Sequence, residues 1–367
     1  MLYLYRLFYL IVMFAVLCSA ISNAAPLDQV SKYQIKKASE DVAKIAPDFT
    51  KNFIFCPQGL NAIEVLSSAL PKPVYPVNKT PDALQDAFDR YVFGDDDEVL
   101  KSADFVFSKY FLTEDQKMLL TKKGHPHLFD DKNSYPQDVL KANEIISELT
   151  NAALKKVIPE EQDDFAFIAT NVVYFKAKWG VYCEKADPFM WKKDPQSSTK
   201  VTGFEIDTDD NKGVKAGNTH GYNVYSIPIN KTDGEYKFII AIPEKSFGKK
   251  PEQAILDEEI AISCIEVARS AKQLSDITLI IPDFHIEQTH KLNDLFKSSS
   301  PFKASQKAFI KVNQEGVEAS ACTSMILLEC ARYAEEVKID EPFAFWVIND
   351  TNGKILFTGT VYDPQHK

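Results

Sequence analysis

Residues Lys311-Val-Asn-Gln-Glu-Gly-Val-Glu-Ala-Ser-Ala-Cys-Thr-Ser-Met-Ile-Leu-Leu-Glu-Cys-Ala-Arg-Tyr-Ala-Glu-Glu-Val-Lys-Ile-Asp340 fit two structures at once. Every second side chain from Val317 (Val317, Ala319, Ala321, Thr323, Met325, Leu327) is small or apolar, and the alternate set begins Glu318, Ser320, Cys322, Ser324. Period-two alternation argues for a half-buried strand. Yet Gly316, the alanines and the small polar side chains have little strand preference, so the segment can stay a loop until something changes. Strand-like runs flank it at 307–312, 342–348 and 354–361, the last two around the hairpin dipeptide Asn352-Gly353. A long connection between firm strands is usually functional or disordered.

Outward from this stretch, residues 1–25 read as a targeting segment. Arg6 supplies the positive start, 7–17 the apolar run, and Ala20, Ala24 and Ala25 small residues for cleavage. The run is short for a membrane span, so the expectation is a secreted, extracellular chain with no membrane partner. Residues 26–367 carry no Gly/Ser/Pro linker and no repeat, and 45% hydrophobic content supports one large core. The formal charge of −10 becomes −11 without Arg6, which disfavours a nucleic-acid or acidic-membrane partner. Lys122-Lys123 and Lys249-Lys250 read as solvated surface. After loss of Cys18 the chain keeps Cys56, Cys183, Cys264, Cys322 and Cys330, an odd number from which no disulfide framework follows. Asn78, Asn230 and Asn349 open N-glycosylation sequons, usable only where exposed.

Helical spacing over 28–48 predicts an amphipathic helix (Val30, Tyr33, Ile35, Ala38, Val42, Ile45). Phe53 and Phe55 follow as a short strand and 60–70 as a buried helix. Three prolines make 71–77 a loop. Helices are predicted again over 82–93 and 138–157, with the acidic run 95–98 between them as a solvated loop. From 165 the chain turns strand-rich, at 165–174, 222–229, 236–242 and 277–281. Helices first and strands later point to an α+β domain.

The chain has no Gly-x-Ser-x-Gly elbow, His-Glu-x-x-His, Cys-x-x-Cys or glycine-rich phosphate loop. His285 and His290 flank Glu287 at a spacing that does not share a helical face, and His125-Pro-His127 reads as a loop. The expectation is no enzyme, no metal and no cofactor.

Several motifs carry a resemblance. Val312-Asn-Gln-Glu-Gly-Val-Glu-Ala-Ser-Ala321 resembles the hinge of the serpin family, and Glu341-Pro-Phe-Ala-Phe-Trp346 the strand beyond its reactive loop. Asn52-Phe-Ile-Phe-Cys-Pro57, Thr170 to Trp179, Ile281-Pro-Asp-Phe-His-Ile-Glu287 and Phe357 to Pro364 resemble further elements of that family, in its order. The resemblance implies one large mixed central sheet, two smaller sheets, surrounding helices and an exposed reactive-centre loop at about 316–338. It also implies a monomeric suicide-substrate inhibitor of a serine endopeptidase, whose cleaved loop enters the central sheet with the protease attached. Glu315, Gly316, Val317, Glu318, Ala319 and Ala321 are then the hinge, and Asn171, Trp179, Cys56 and Gln306 lie where the sheet opens. At the family's spacing the reactive bond is Cys330–Ala331, suiting a chymotrypsin- or elastase-like protease. A second alignment places it after Glu329, Arg332 would suit a trypsin-like enzyme, and Leu327 and Leu328 are compatible with papain-like cysteine proteases.

Three departures stand out. Between Phe296 and Lys307 roughly twenty residues are missing, where the family carries a helix and the beginning of a strand. Cys56 replaces a serine and Gln306 a histidine. The stretch Ile145-Ile-Ser-Glu-Leu149 replaces a tryptophan-valine pattern. These departures leave open a non-inhibitory binding or immunomodulatory protein that kept the architecture.

Overall fold

The computed structural model describes residues 27–46, 50–69, 100–110, 112–121, 127–130, 134–159, 165–194, 196–209, 213–229, 236–296, 302–317, 335–351 and 353–365. The targeting segment expected over 1–25, the loop expected at 71–77, the helix expected over 82–93, the acidic run after it and Asn352 lie outside these residues.

Helix α1 (Gln29–Ile45) starts at Asp28, whose carboxylate accepts the Ser31 N–H at 2.7 Å, and buries Ile35, Ala38 and Val42 on one stripe. Strand β1 (Phe53–Phe55) leads into helix α2 (Pro57–Ala69), with proline at a first-turn position where no N–H is needed. Next come β2 (Leu100–Ser108), α3 (Glu114–Thr121), β3 (His127–Phe129) and α4 (Tyr135–Leu149). The latter ends eight residues before the expected 157. Asn151 and Ala152 have positive φ, and the Asn143 amide holds both the N–H and the carbonyl of Ile158 at 2.9 Å, folding the chain back. His127 begins a strand, not a loop.

Strands β4 (Phe167–Phe175), β5 (Glu184–Lys185), β6 (Phe189–Asp194), β7 (Ser197–Val201), β8 (Gly203–Asp207), β9 (Lys215–Thr219), β10 (Tyr222–Ile229) and β11 (Tyr236–Pro243) follow. Two helices, α5 (Pro251–Leu256) and α6 (Glu258–Ser270), interrupt the strand-rich half. The second is capped by Asp257 and buries Ile260, Ala261, Cys264, Ile265 and Ala268, a helical stripe that the strand reading passed over. The chain closes with β12 (Lys272–Gln273), β13 (Ile277–Pro282), β14 (Phe284–Lys291), β15 (Phe302–Asn313), β16 (Gly316–Val317), β17 (Glu335–Lys338), β18 (Phe343–Asn349) and β19 (Ile355–Val361).

Among the described residues these strands form a central sheet ordered β14-β15-β4-β2-β3, with β16 added at its top. A second sheet runs β1-β19-β18-β11-β10-β9-β12, a third β17-β13-β8-β5, and β6 and β7 pair as a ribbon. Aromatic rings join the central and second sheets: Phe284 of β14 lies 5.9 Å from Phe343 and 5.7 Å from Phe345 of β18, and 6.3 Å from Phe238 of β11. Strand β15 begins at Phe302, paired with Phe167, and Phe302 packs on Phe296 at 5.2 Å. The strand thus begins five residues before the expected Lys307, and residues 297–301 lie outside the described residues.

Candidate functional site: the seam between β4 and β15

All neighbouring pairs in the central sheet but two are antiparallel: β2 pairs β3 in parallel, and β15 pairs β4 in parallel. The second parallel ladder is the one whose upper end meets β16.

The lower seam is closed. Residues 302–309 of β15 pair with 167–174 of β4, and the Thr170 and Ser305 hydroxyls meet across it at 3.0 Å. One step on, Gln306 stands opposite Asn171, both without solvent exposure. Gln306 Oε1 accepts the Cys56 N–H at 3.0 Å, and Gln306 Nε2 donates to the Cys56 carbonyl at 2.8 Å. A neutral side chain thus satisfies both backbone groups just before α2. Asn171 Nδ2 donates to Ser102 Oγ at 3.1 Å and to Asp104 Oδ1 at 2.8 Å, tying β4 to β2. Its Oδ1 has no hydrogen-bond partner. Gly59 makes this closeness possible, since a β-carbon there would overlap Asn171 Oδ1 and lie 2.5 Å from Gln306 Nε2. Burial pushes the Cys56 thiol up to about 12, so the group remains a neutral packing atom.

On the neighbouring strand His290 faces Gln306 in register. Its Nε2 lies 2.6 Å from the Ile54 carbonyl, and its ring packs on Phe53 and Phe55 at 5.4 and 5.9 Å. Desolvation lowers its pKa, opposed by the Ile54 hydrogen bond. His285 instead approaches Glu287 at 4.0 Å, so the two histidines do not converge. Among the described residues no group of three or more metal-ligating side chains is found.

The upper seam is open. Beyond Val312 the chain turns through Gln314 and Glu315, and β16 runs back along β15, pairing Val317 with Val312 and Gly316 with Asn313. On its other side Val317 exchanges both backbone hydrogen bonds with Ala177, at 2.8 and 2.9 Å. Val317 therefore already sits as a strand between β15 and the continuation of β4, and it is fully buried. Gly316 is required there: its φ is +140°, and a β-carbon would overlap the Ala177 carbonyl oxygen. Trp179 closes the top, donating Nε1–H to the Asn313 carbonyl at 2.8 Å and packing its ring on Phe204 at 5.4 Å. Glu315 N–H is held by Asn313 Oδ1 at 3.0 Å.

The far end of the connection is pinned elsewhere. Strand β17 pairs in parallel with β13, Glu335 opposite Ile277 through Lys338 opposite Ile280, at the edge of the third sheet.

Of the residues predicted for the site, Glu315, Gly316, Val317, Asn171, Trp179, Cys56 and Gln306 converge on this one seam. Glu318, Ala319, Ala321, Glu329, Cys330 and Ala331, and the sequon residues Asn78 and Asn230, lie outside the described residues. Asn349 is a correction. It is buried in β18, 6% exposed, with Oδ1 accepting the Thr351 N–H at 3.0 Å, so it lacks the exposure a glycan needs. Sequence reasoning missed Gly59, Ser102, Asp104, Ala177 and Asn313. Only Gly59, a glycine in an otherwise apolar helical run, left a signal.

Three sheets with helices around them, a parallel seam whose upper end holds β16, and β17 at the edge of the third sheet define an α+β protein. The profile described as "Serpin (serine protease inhibitor)" matches residues 99–300 and 298–364, and the chain belongs to the serpin family. Neuroserpin of Mus musculus is 25% identical over 305 residues, 73% of this chain and 72% of that protein. Iris of Ixodes ricinus is 25% identical over 250 residues, 60% of this chain and 64% of Iris, just under two-thirds of its length. The leukocyte elastase inhibitor of Xenopus laevis is 24% identical over 259 residues, 60% of this chain and 65% of that protein. Among solved structures, the thermophilic serpin Tengpin in its native state superposes with a TM-score of 0.71 at 17% identity, covering 93% of this chain and 96% of Tengpin. Thyroxine-binding globulin in complex with thyroxine gives 0.70 at 15%, covering 92% and 100%. Among the described residues no helix is long and apolar enough to cross a membrane.

Proposed function

We propose that the chain is a secreted suicide-substrate inhibitor of a serine endopeptidase, cleaved at Cys330–Ala331 and trapping its target as the loop enters the seam between β4 and β15. The observation that carries this reading is Val317. It is seated between β15 and Ala177 in strand register, so the next inward positions, Ala319 and Ala321, would follow it down the seam without bringing a charge. Each inserted residue gains ladder hydrogen bonds of roughly 1 kcal/mol net, and a dozen residues reach on the order of 10 kcal/mol. That gain has to exceed the cost of parting the lower seam. The protease supplies the chemistry: its nucleophile forms the acyl-enzyme, and movement of the cut loop displaces the acyl bond from its hydrolytic machinery. A cysteine at the residue before the bond suits a chymotrypsin- or elastase-like pocket, and Leu327 and Leu328 extend the choice to papain-like cysteine proteases. Asn78 and Asn230 are the remaining candidates for glycosylation.

Incubation with a panel of serine and cysteine proteases, followed by a denaturing gel, tests this. The expected result is a covalent band of summed mass and a large rise in unfolding temperature of the cleaved chain. Clipped product alone, with unchanged thermal resistance, rejects it. A non-inhibitory binding protein is the second reading. It is favoured by the completeness of the lower seam, where insertion must break the ladder and the Gln306 clamp together.

A further inference from the structure

Behind the upper seam lies a cleft of about 680 Å³ at the junction of β7, β14, β15 and the C-terminal turn, a size typical of small-molecule sites. Its floor is apolar and buried, formed by Val201, Phe284 and Val312. Its rim carries Lys200 and Lys311, both exposed and neither in an ion pair of 4.0 Å or less among the described residues. The one acid in the lining is Asp283. Its backbone N–H is held by the Thr202 carbonyl at 2.9 Å. Burial pushes the Asp283 carboxyl up, against the Thr202 hydrogen bond and the charges of Lys185 and Lys311. An apolar floor beneath two lysines and one half-buried acid leaves a positive surplus, on a chain whose formal charge is −10.

We propose that this cleft binds a small amphipathic carboxylate, its apolar body against Phe284 and Val312 and its anionic end held by Lys200 and Lys311, and that the occupant braces the top of β15. The brace follows from connectivity. Val312 lines the cleft and is the residue that pairs with Val317, and the next residue, Asn313, receives the Trp179 hydrogen bond. Val317 already separates this part of β15 from Ala177, so admitting more loop requires β15 and β4 to part below it, over 302–309 and 167–174, and a ligand fixing the upper end of β15 opposes the movement of that strand. Binding is independent of the inhibitory reading, whereas the brace rests on it.

The test is isothermal titration of the intact chain with decanoate, with decylamine as the opposite-charge comparison. Saturable binding at one site is expected, weakened at least tenfold in Lys200→Glu/Lys311→Glu and unchanged in Lys249→Glu/Lys250→Glu, with decylamine binding more weakly. Both pairs are surface changes that leave the core untouched. Non-saturable uptake, equal weakening by the two double variants, or preference for decylamine overturns the site. Saturating decanoate is also expected to slow covalent-complex formation at least threefold in the natural chain but not in Lys200→Glu/Lys311→Glu. An unchanged rate overturns the brace. If no covalent complex forms with any protease, the inhibitory reading and the brace fall together, and the titration still decides the site.

Discussion

The two halves of the seam between β4 and β15 are built from opposite materials. Below, the strands are joined by a continuous parallel ladder, paired hydroxyls and a glutamine that grips the backbone before α2. Above, a glycine and a valine are wedged between them, with a tryptophan indole holding the turn. The lower half resists entry through polar bonds that must be given up while buried. The upper half already holds a strand that is small and uncharged and sits in register, and on the proposed mechanism entry would begin there. A sheet that is locked uniformly would stay shut, and one that is loose throughout would fill itself without a trigger.

The largest effect that would break this contrast is expected from Gln306→Leu. The change is close in volume and leaves the Cys56 N–H buried without a partner, at about 1–3 kcal/mol, and removes one donor from the Cys56 carbonyl, which keeps the Leu60 N–H at 3.4 Å, at about 0.5–1.5 kcal/mol. A loss of about 2–5 kcal/mol, read from the urea midpoint at unchanged slope, is the expected outcome. Synthetic peptides carrying the sequence of 317–328 should also anneal into the variant faster. If stability is unchanged, the lower seam is not locked by this side chain.

A smaller loss is expected from Gly316→Val, which places a β-branched residue at φ +140° against the Ala177 carbonyl. Strain of this kind costs about 1–3 kcal/mol, and the chain can relieve it by withdrawing β16. Native-state hydrogen exchange at the Val317 and Ala177 amides then rises together, while the Gln306 region keeps its protection. Equal loosening of both halves would mean that they are one cooperative unit and not two.

Smaller again is Trp179→Phe. The ring packing on Phe204 and Phe238 is largely kept, but the bond to the Asn313 carbonyl is lost, an effect of about 0.5–1.5 kcal/mol. The turn at Gln314 and Glu315 should become the first site of limited proteolysis. Cleavage elsewhere would assign the hold on the turn to Asn313 Oδ1 and the Glu315 N–H instead.

Much of this division was legible in the sequence, and what was not has physical reasons. The hinge announced itself through alternation and through Gly316, because a strand that must be entered edgewise leaves a period-two trace of small residues. Asn171, Trp179, Cys56 and Gln306 were reachable only through family motifs, since nothing in a single chain says that residue 56 will meet residue 306. Gly59 and Asp104 were missed because their roles are contacts across the fold. The α6 stripe was overlooked inside a strand-rich half, although its apolar spacing and the Asp257 cap were visible. Asn349 failed because a sequon specifies a residue pattern and not its burial: the same turn that ends β18 uses the amide to hold Thr351. The residues missing before Lys307 were read as the loss of a helix and the beginning of a strand; the strand's first residue, Phe302, could not be read from the sequence because its pairing with Phe167 of β4 is a contact across the fold.

The smallest predicted effect concerns pH and sharpens the contrast from outside the seam. His290 is the buried titratable neighbour of the Gln306 lock, and desolvation depresses its folded-state pKa below the unfolded value. The unfolded chain therefore binds the proton more readily. Stability is at its full value above the unfolded pKa of about 6.5 and falls as the pH drops through it. The proton that hurts is the one on Nδ1, since Nε2 already faces the Ile54 carbonyl as a donor. His290→Gln should flatten the histidine limb of the stability curve between pH 7 and 5 while leaving carboxylate-driven loss at lower pH in place. With glutamine rather than histidine at 306, no second proton enters the lock itself. Acid should thus loosen the wall behind the lower seam without releasing the Gln306 clamp, measurable as lost exchange protection at Ile54 and Phe55 with the Cys56 amide retained. If the Cys56 amide opens in step with its neighbours on acidification, the clamp and the wall are one structure, and the neutral amide at 306 provides no insulation from pH.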